Sequence, residues 1–370
     1  MTSEQLLIKP KRLRSLLRHL VDIYSPSGKE EEVVDFLYGY LKRRGLHPIY
    51  QEVDDSRCNL LVMPEETEIE LALVGHVDTV VAYHFEDYAC EFENDTVLGL
   101  GTADMKGGCA AMIEAYLTLW ESNRPRPPVA LAMVVGEEED GDGAQKLAKD
   151  HHFPWVLIGE PTNLQPCLRH YGYMEAQITT RGKRMHASLA NLSQNPIDSM
   201  LKLLLRISRY LEQQRSELVY NIRDLNSSRA GFAVPDRCDA WLDLHLPPTS
   251  PIGDITLELE QTLAQERLEN PNFEGVLRFA TIHTGYELSP KWPMVETLQK
   301  IYTDRSLAWQ PQAFGSHSDA NLLWAAGMKP ILLGPGELEK AHTPDESVSF
   351  KQVLLAAQIY LDLLLSFAAP

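Results

Sequence analysis

Two histidines and several acids in this chain fall where short apolar runs end. His76 and Asp78 follow Gly75, Glu137 and Glu138 follow Gly136, Glu160 follows Gly159, and His342 lies a little beyond Gly334-Pro335-Gly336. Asp104 stands in a further loop, Gly99-Leu100-Gly101-Thr102-Ala103-Asp104-Met105-Lys106-Gly107-Gly108. Imidazole and carboxylate hold borderline and harder divalent cations, and two ions about 3.5–4 Å apart clamp one oxygen between them. Two histidines and three acids suffice for such a pair if one acid bridges. Asp78, two residues past His76 on the same side of an extended chain, is placed to accept the imidazole's other N–H and fix its tautomer. The adjacent Glu137 and Glu138 suit divided roles, one carboxylate on a metal and the other free as a base.

The elements that must position these groups are legible as four apolar runs, Leu71–Val74, Val129–Val135, Trp155–Ile158 and Ile331–Leu333, each stopping at a glycine. Continuous runs of this kind, separated by helical stretches such as Met112–Trp120, read as strands of a mostly parallel sheet flanked by helices. In such α/β sheets ligands bind beyond the carboxyl ends of the strands, so groups remote in sequence are delivered to one crevice. Gly107 and Gly108 precede the small residues Cys109-Ala110-Ala111 and let a helix sit close on the sheet. Residues 168–288 differ. A strand-like Tyr173–Thr180, a helix from Pro196 to about Leu218, an alternating strand Asp239–Leu246, a helix Ile255–Leu268 and a strand near Val276–His283 follow the split β-α-β order. They mark an inserted α+β, ferredoxin-like domain, with 1–167 and 289–370 forming the metal-binding body.

Composition narrows the partners. The 370 residues carry 34 Lys plus Arg against 52 Asp plus Glu, a net charge of −18, which argues against nucleic acid or an anionic membrane. A hydrophobic fraction of 44% with 23% charged residues fits an ordinary globular protein rather than a disordered or coiled-coil chain. Five scattered cysteines without a C-x-x-C pair favour a reducing compartment, and the Lys- and Arg-bearing segment Met1–Arg18 is not a secretory signal, so a cytoplasmic location is expected. Val353–Ala369, which contains Gln358 and Asp362, reads as a C-terminal core helix.

Six motifs in order resemble those of the dinuclear zinc amidohydrolase and peptidase family that includes acetylornithine deacetylase, succinyl-diaminopimelate desuccinylase, aminoacylase and the glutamate carboxypeptidases. They are Gly75-His76-Val77-Asp78-Thr79, Gly101–Gly108, Gly136-Glu137-Glu138-Glu139, Gly159-Glu160-Pro161-Thr162, Arg181-Gly182-Lys183-Arg184-Met185-His186-Ala187-Ser188, and Ala341-His342-Thr343-Pro344-Asp345-Glu346. The resemblance implies Asp104 as bridging ligand, His76 and Glu160 completing one site, Glu138 and His342 the other, Glu137 as general base and Asp78 behind His76. It implies two zinc ions, with cobalt as a substitute, and hydrolysis of an N-acyl amino acid or small peptide by a metal-bridged water. It further implies that the inserted domain is a lid and the contact of a homodimer, and that His186 crosses from the partner's lid to bind substrate and the oxyanion.

Departures from the family pattern fall on substrate contacts. Phe232-Ala233-Val234-Pro235 stands where relatives carry Asn-x-x-Pro, His245 stands where an arginine is usual, and Asn321 replaces the arginine of Ser-Asp-Ala-Arg. Gly334-Pro335-Gly336 before His342 leans towards the acetylornithine and acetyl-lysine deacetylase branch. Two other readings compete: a dinuclear aminopeptidase or dipeptidase, and a non-catalytic homologue, for which ligand loss would be the sign. His84, His151, His152, His170 and His283 are read as surface residues, and His317 is left without a role.

Overall fold

The computed structural model describes residues 6–64, 68–82 and 84–368. The chain divides into two units, one made of Met1–Leu168, Leu288–Phe314 and Ser318–Pro370, the other of Arg169–Glu287 and Gly315–His317.

The first unit opens with helices α1 (Pro10–Asp22) and α2 (Glu31–Lys42) and strands β1 (Ile49–Glu52), β2 (Cys58–Val62) and β3 (Leu71–His76). Helix α3 (Gly107–Trp120), strand β4 (Val129–Val134), helix α4 (Asp142–Asp150) and strand β5 (Trp155–Ile158) follow. Every residue of β3 and β4 is buried, as continuous apolar runs covered on both faces require. The strand does not stop at Gly75 as its sequence suggests; β3 runs on to His76, which pairs with Val134.

The second unit carries strand β6 (Gly172–Arg181), helix α5 (Pro196–Gln214), strands β7 (Val219–Ser227) and β8 (Arg237–Leu246), helix α6 (Ile252–Glu269) and strand β9 (Glu274–His283). Its antiparallel order is β7-β8-β6-β9, the ferredoxin-like arrangement read from the sequence. Met174, Ala176 and Ile178 of β6 join Ala240, Leu242 and Leu244 of β8 in one core with Met200, Leu203 and Ile207 of α5 and Leu259 of α6. The strict alternation of β8 therefore sorts side chains between a helix-covered face and one that carries the half-buried Asp239, Trp241 and His245 and the buried Asp243.

Back in the first unit come α7 (Pro293–Asp304), α8 (Asp319–Ala325), strand β10 (Pro330–Leu332) and α9 (Phe350–Phe367). The sheet runs β1-β2-β4-β3-β5-β10, parallel at β4-β3, β3-β5 and β5-β10 and antiparallel at the β1-β2-β4 edge. By length and composition alone α9 would pass for a membrane span, but it buries Ala356, Ala357, Tyr360 and Leu364 among other side chains. Its expected last residue, Ala369, lies outside the described residues. A Cβ at Gly108 would lie 2.2 Å from the Gly159 carbonyl oxygen, so the absence of a side chain there is what lets α3 approach the end of β5.

Three sequence readings need correction. Gly315–His317, assigned to the metal-binding body, belongs with the second unit, because the His317 ring stacks on His283 at 4.8 Å and meets Tyr173 at 5.0 Å. His170, read as a surface residue, is fully buried; burial pushes its imidazole down to about 4. His283 is half-buried, and its Nδ1 lies 2.7 Å from His317 Nε2.

Candidate metal centre

Register places the site. Because His76 pairs with Val134 and Val74 with Ile158, β3 and β4 finish level and β5 stops two residues earlier, with the chain running on from there through Gly159 to Glu160. His76 therefore stands beside the turn that carries Glu137 and Glu138 and the one that carries Glu160. Gly136 makes the first turn possible: its φ is +75°, and a Cβ there would lie 2.1 Å from the Asp142 carboxylate. Asp104 arrives from the irregular turn before α3, in which its backbone leaves helical values at φ −118°, ψ 97°. His342 has a φ of +59°.

These residues converge. Asp104 Oδ1 lies 3.2 Å from His76 Nε2, and Asp104 Oδ2 lies 3.4 Å from His342 Nε2. His342 Nε2 is 2.9 Å from Glu138 Oε2, and His76 Nε2 is 3.9 Å from Glu137 Oε2. Potential ligand atoms fall into three groups, each within 4.8 Å: His76, Asp104 and Glu160; Asp104, Glu138 and His342; and His76, Glu137 and Glu138. Glu160 Oε1 is buried with no hydrogen-bond partner among the described residues. Imidazole and carboxylate donors packed this closely, with an unpartnered buried oxygen among them, fit a pair of divalent cations.

Electrostatics agree. Burial, opposed by His76 and reinforced by Glu160 and Glu138, raises the Glu137 carboxyl well above the usual range. Burial and the neighbouring Asp104 do the same to Glu160. Hydrogen bonds to Asp104 and Glu138 raise His342 to about 10. For Asp104, burial pushes upward, but the hydrogen bonds from His342 and His76 prevail and hold it below the ordinary carboxylate range. The protons held among these crowded acids and imidazoles are what a shared cation would displace.

Asp78 lies fully buried behind His76, but the contact differs in detail from the sequence reading. His76 Nδ1 is 3.1 Å from the Asp78 backbone carbonyl and 3.6 Å from its carboxylate. Asp78 Oδ2 instead accepts from Ser27 Oγ at 2.7 Å and from the Glu138 N–H at 3.1 Å. Ser27 carried no sequence signal. Asp319, two residues before Asn321, is buried nearby and is pushed up to about 8 by burial, with Asp78, Asp142 and Glu138 adding to the rise against His76. Asn321 is buried and its Oδ1 accepts the Ser318 N–H, closing the capping box of α8. In the second unit His186 is exposed; its Nδ1 accepts the Ser188 N–H at 3.2 Å and faces Ser188 Oγ at 2.8 Å, so Nε2 is the ring nitrogen left to donate.

Residues 72–366 match the sequence profile of the peptidase family M20/M25/M40. The chain belongs to that family. This M20 chain is a metallohydrolase of a dinuclear, metal-binding family, and its relatives support amide hydrolysis. It is 27% identical over 340 residues to acetylornithine deacetylase of Edwardsiella ictaluri, covering 86% of each chain. It is also 27% identical over 347 residues to a putative LysW-lysine/LysW-ornithine hydrolase of Pyrobaculum aerophilum, covering 93% of this chain and 94% of that one. Among solved structures the M20 fold recurs in a tripeptidase from Staphylococcus aureus, with a TM-score of 0.82, 22% identity and coverage of 98% and 99%. It recurs also in a Bacillus subtilis dinuclear metal-binding M20 peptidase, with a TM-score of 0.71, 11% identity and coverage of 96% and 98%.

Proposed function

We propose that this M20 chain hydrolyses the amide bond of an N-acyl amino acid. His76, Asp104 and Glu160 would hold one divalent ion, Asp104, Glu138 and His342 the other, and Glu137 would act as general base. The observation that carries this reading is that the two oxygens of Asp104 face different histidines, each of which sits in its own ligand group. Zinc suits the donor set, with cobalt as a substitute; when bound, such ions lower the pKa of water and polarise a carbonyl. Glu137 takes the proton of the attacking water and returns it to the departing amine. Asp78 keeps His76 and the Glu138 turn in place during this exchange.

We propose in addition that the second unit is a lid and the contact of a homodimer, with His186 Nε2 donating to the developing oxyanion from the partner's lid. The exposed ring, with Nδ1 taken up by Ser188 and Nε2 left to donate, supports this role. The relatives' names put ornithine and lysine derivatives at the head of the substrate panel. The test is amine release from N-acetylornithine, N-acetyllysine, N-succinyl amino acids and dipeptides by zinc- and cobalt-loaded protein. Turnover of N-acyl amino acids above dipeptides is expected; cleavage of dipeptides alone would replace this reading with a dipeptidase.

A further inference from the structure

The Ala341–Glu346 segment brings His342 to the metal centre, and its last residue reaches the same centre by a second route. Glu346 is buried, 2% exposed, and its Oε1 accepts two backbone N–H groups, from Ala103 at 2.9 Å and from Asp104 at 3.0 Å. Its backbone carbonyl accepts the Gly99 N–H at 3.2 Å. Three hydrogen bonds thus join the segment that carries His342 to the turn that carries Asp104.

That turn needs support from outside. It begins at Gly101 with a φ of 81°, and Asp104 and Met105 depart from helical values. Buried backbone N–H groups must find acceptors, and a carboxyl group offers acceptor oxygens. One Glu346 oxygen serves both donors, one of them the N–H of Asp104 itself. Asp104 and His342 in turn meet at 3.4 Å.

We propose that Glu346 is a positioning residue: a carboxylate brace that sets Asp104 against His342 and thereby tunes the affinity of the ion those two residues share. The inference rests on the two-ion reading above and goes beyond it, because Glu346 lies in none of the three ligand groups and acts through the backbone of Asp104. A glutamine keeps an oxygen acceptor at the same reach, an aspartate is one methylene short, and an alanine removes the acceptor.

Calorimetric titration of metal-free full-length protein with Zn²⁺, paired with visible absorption on Co²⁺ addition, tests the brace. Wild type should take up two ions. Glu346→Ala should weaken one binding step by roughly 10–100-fold, the range for supports of metal ligands, and alter the cobalt spectrum; Glu346→Gln should restore most of the affinity and Glu346→Asp should not. A folded Glu346→Ala protein with wild-type affinity for both ions and an unchanged cobalt spectrum would overturn the proposal, even if its metal-free form melts earlier. Should the alanine variant not fold, equal affinities in the glutamine and aspartate variants would overturn it. Failure of the two-ion reading would appear separately, as wild-type protein that binds fewer than two ions, and the brace would fall with it.

Discussion

The carboxylate of Asp78 accepts the backbone N–H of Glu138 at 3.1 Å while its backbone carbonyl lies 3.1 Å from His76 Nδ1, so one residue meets the glutamate turn at the end of β4 through its side chain and the histidine at the end of β3 through its main chain. A hydrogen bond from N–H to an ionised acceptor is stronger than a neutral one. Asp78→Ala keeps the backbone carbonyl that faces His76 but removes the acceptor of the Glu138 N–H, so it should loosen the Glu138 turn and lower metal affinity by roughly 10–100-fold, read by titration of the metal-free protein. Affinity equal to wild type would remove Asp78 from the centre's support.

Glu137 is assigned a proton rather than an ion. Glu137→Gln should retain both metals by elemental analysis and lose about 10²–10⁴-fold in kcat. Near-normal turnover would shift the base to another group, and loss of one metal would make Glu137 a ligand, as its group with His76 and Glu138 permits.

Asp104 belongs to two of the ligand groups. Asp104→Ala should empty both sites together, while Glu160→Ala should weaken one first. Two ions per chain in the Asp104 variant would end the bridging assignment.

His186 supplies the test of the dimer. His186→Ala should lower kcat far more than it raises KM, since a donor to the oxyanion acts chiefly in the transition state. Hybrids that pair a His186→Ala subunit with a Glu137→Gln subunit should recover activity if the histidine acts across the interface. Verified hybrids without activity would confine it to its own chain or to no catalytic part.

His170 sets a pH dependence. Its folded pKa is pushed by burial down to about 4 from 6.5, so between those values the unfolded chain binds more protons, and stability rises with pH. The contribution is complete above about 6.5 and is lost as the pH falls towards 4; at about 1.4 kcal/mol per unit it amounts to roughly 3 kcal/mol. His170→Phe, which keeps a ring beside Tyr286, should flatten denaturant-derived stability across this window relative to wild type. Parallel curves for the two proteins would show that His170 is not the source.

What the sequence determined was local: apolar runs long enough for buried strands, glycines where those strands turn, and histidines and acids at the turns. Hydrophobic pattern and backbone freedom act within a few residues, so they are readable along the chain, and the split β-α-β order of 168–288 was readable for the same reason. Tertiary structure decided how distant turns meet. That Asp104 divides its oxygens between His76 and His342, that Asp78 turns its carboxylate to Ser27 and Glu138, and that Glu346 grips the Asp104 backbone all depend on contacts spanning 28 to 243 residues. The burial of His170 and the allegiance of Gly315–His317 to the second unit follow the same rule, whereas the capping role of Asn321 is local, three residues from Ser318. A side chain's residue type states which bonds it is able to make, whereas parallel register and chain packing determine which partner arrives within 3 Å of it.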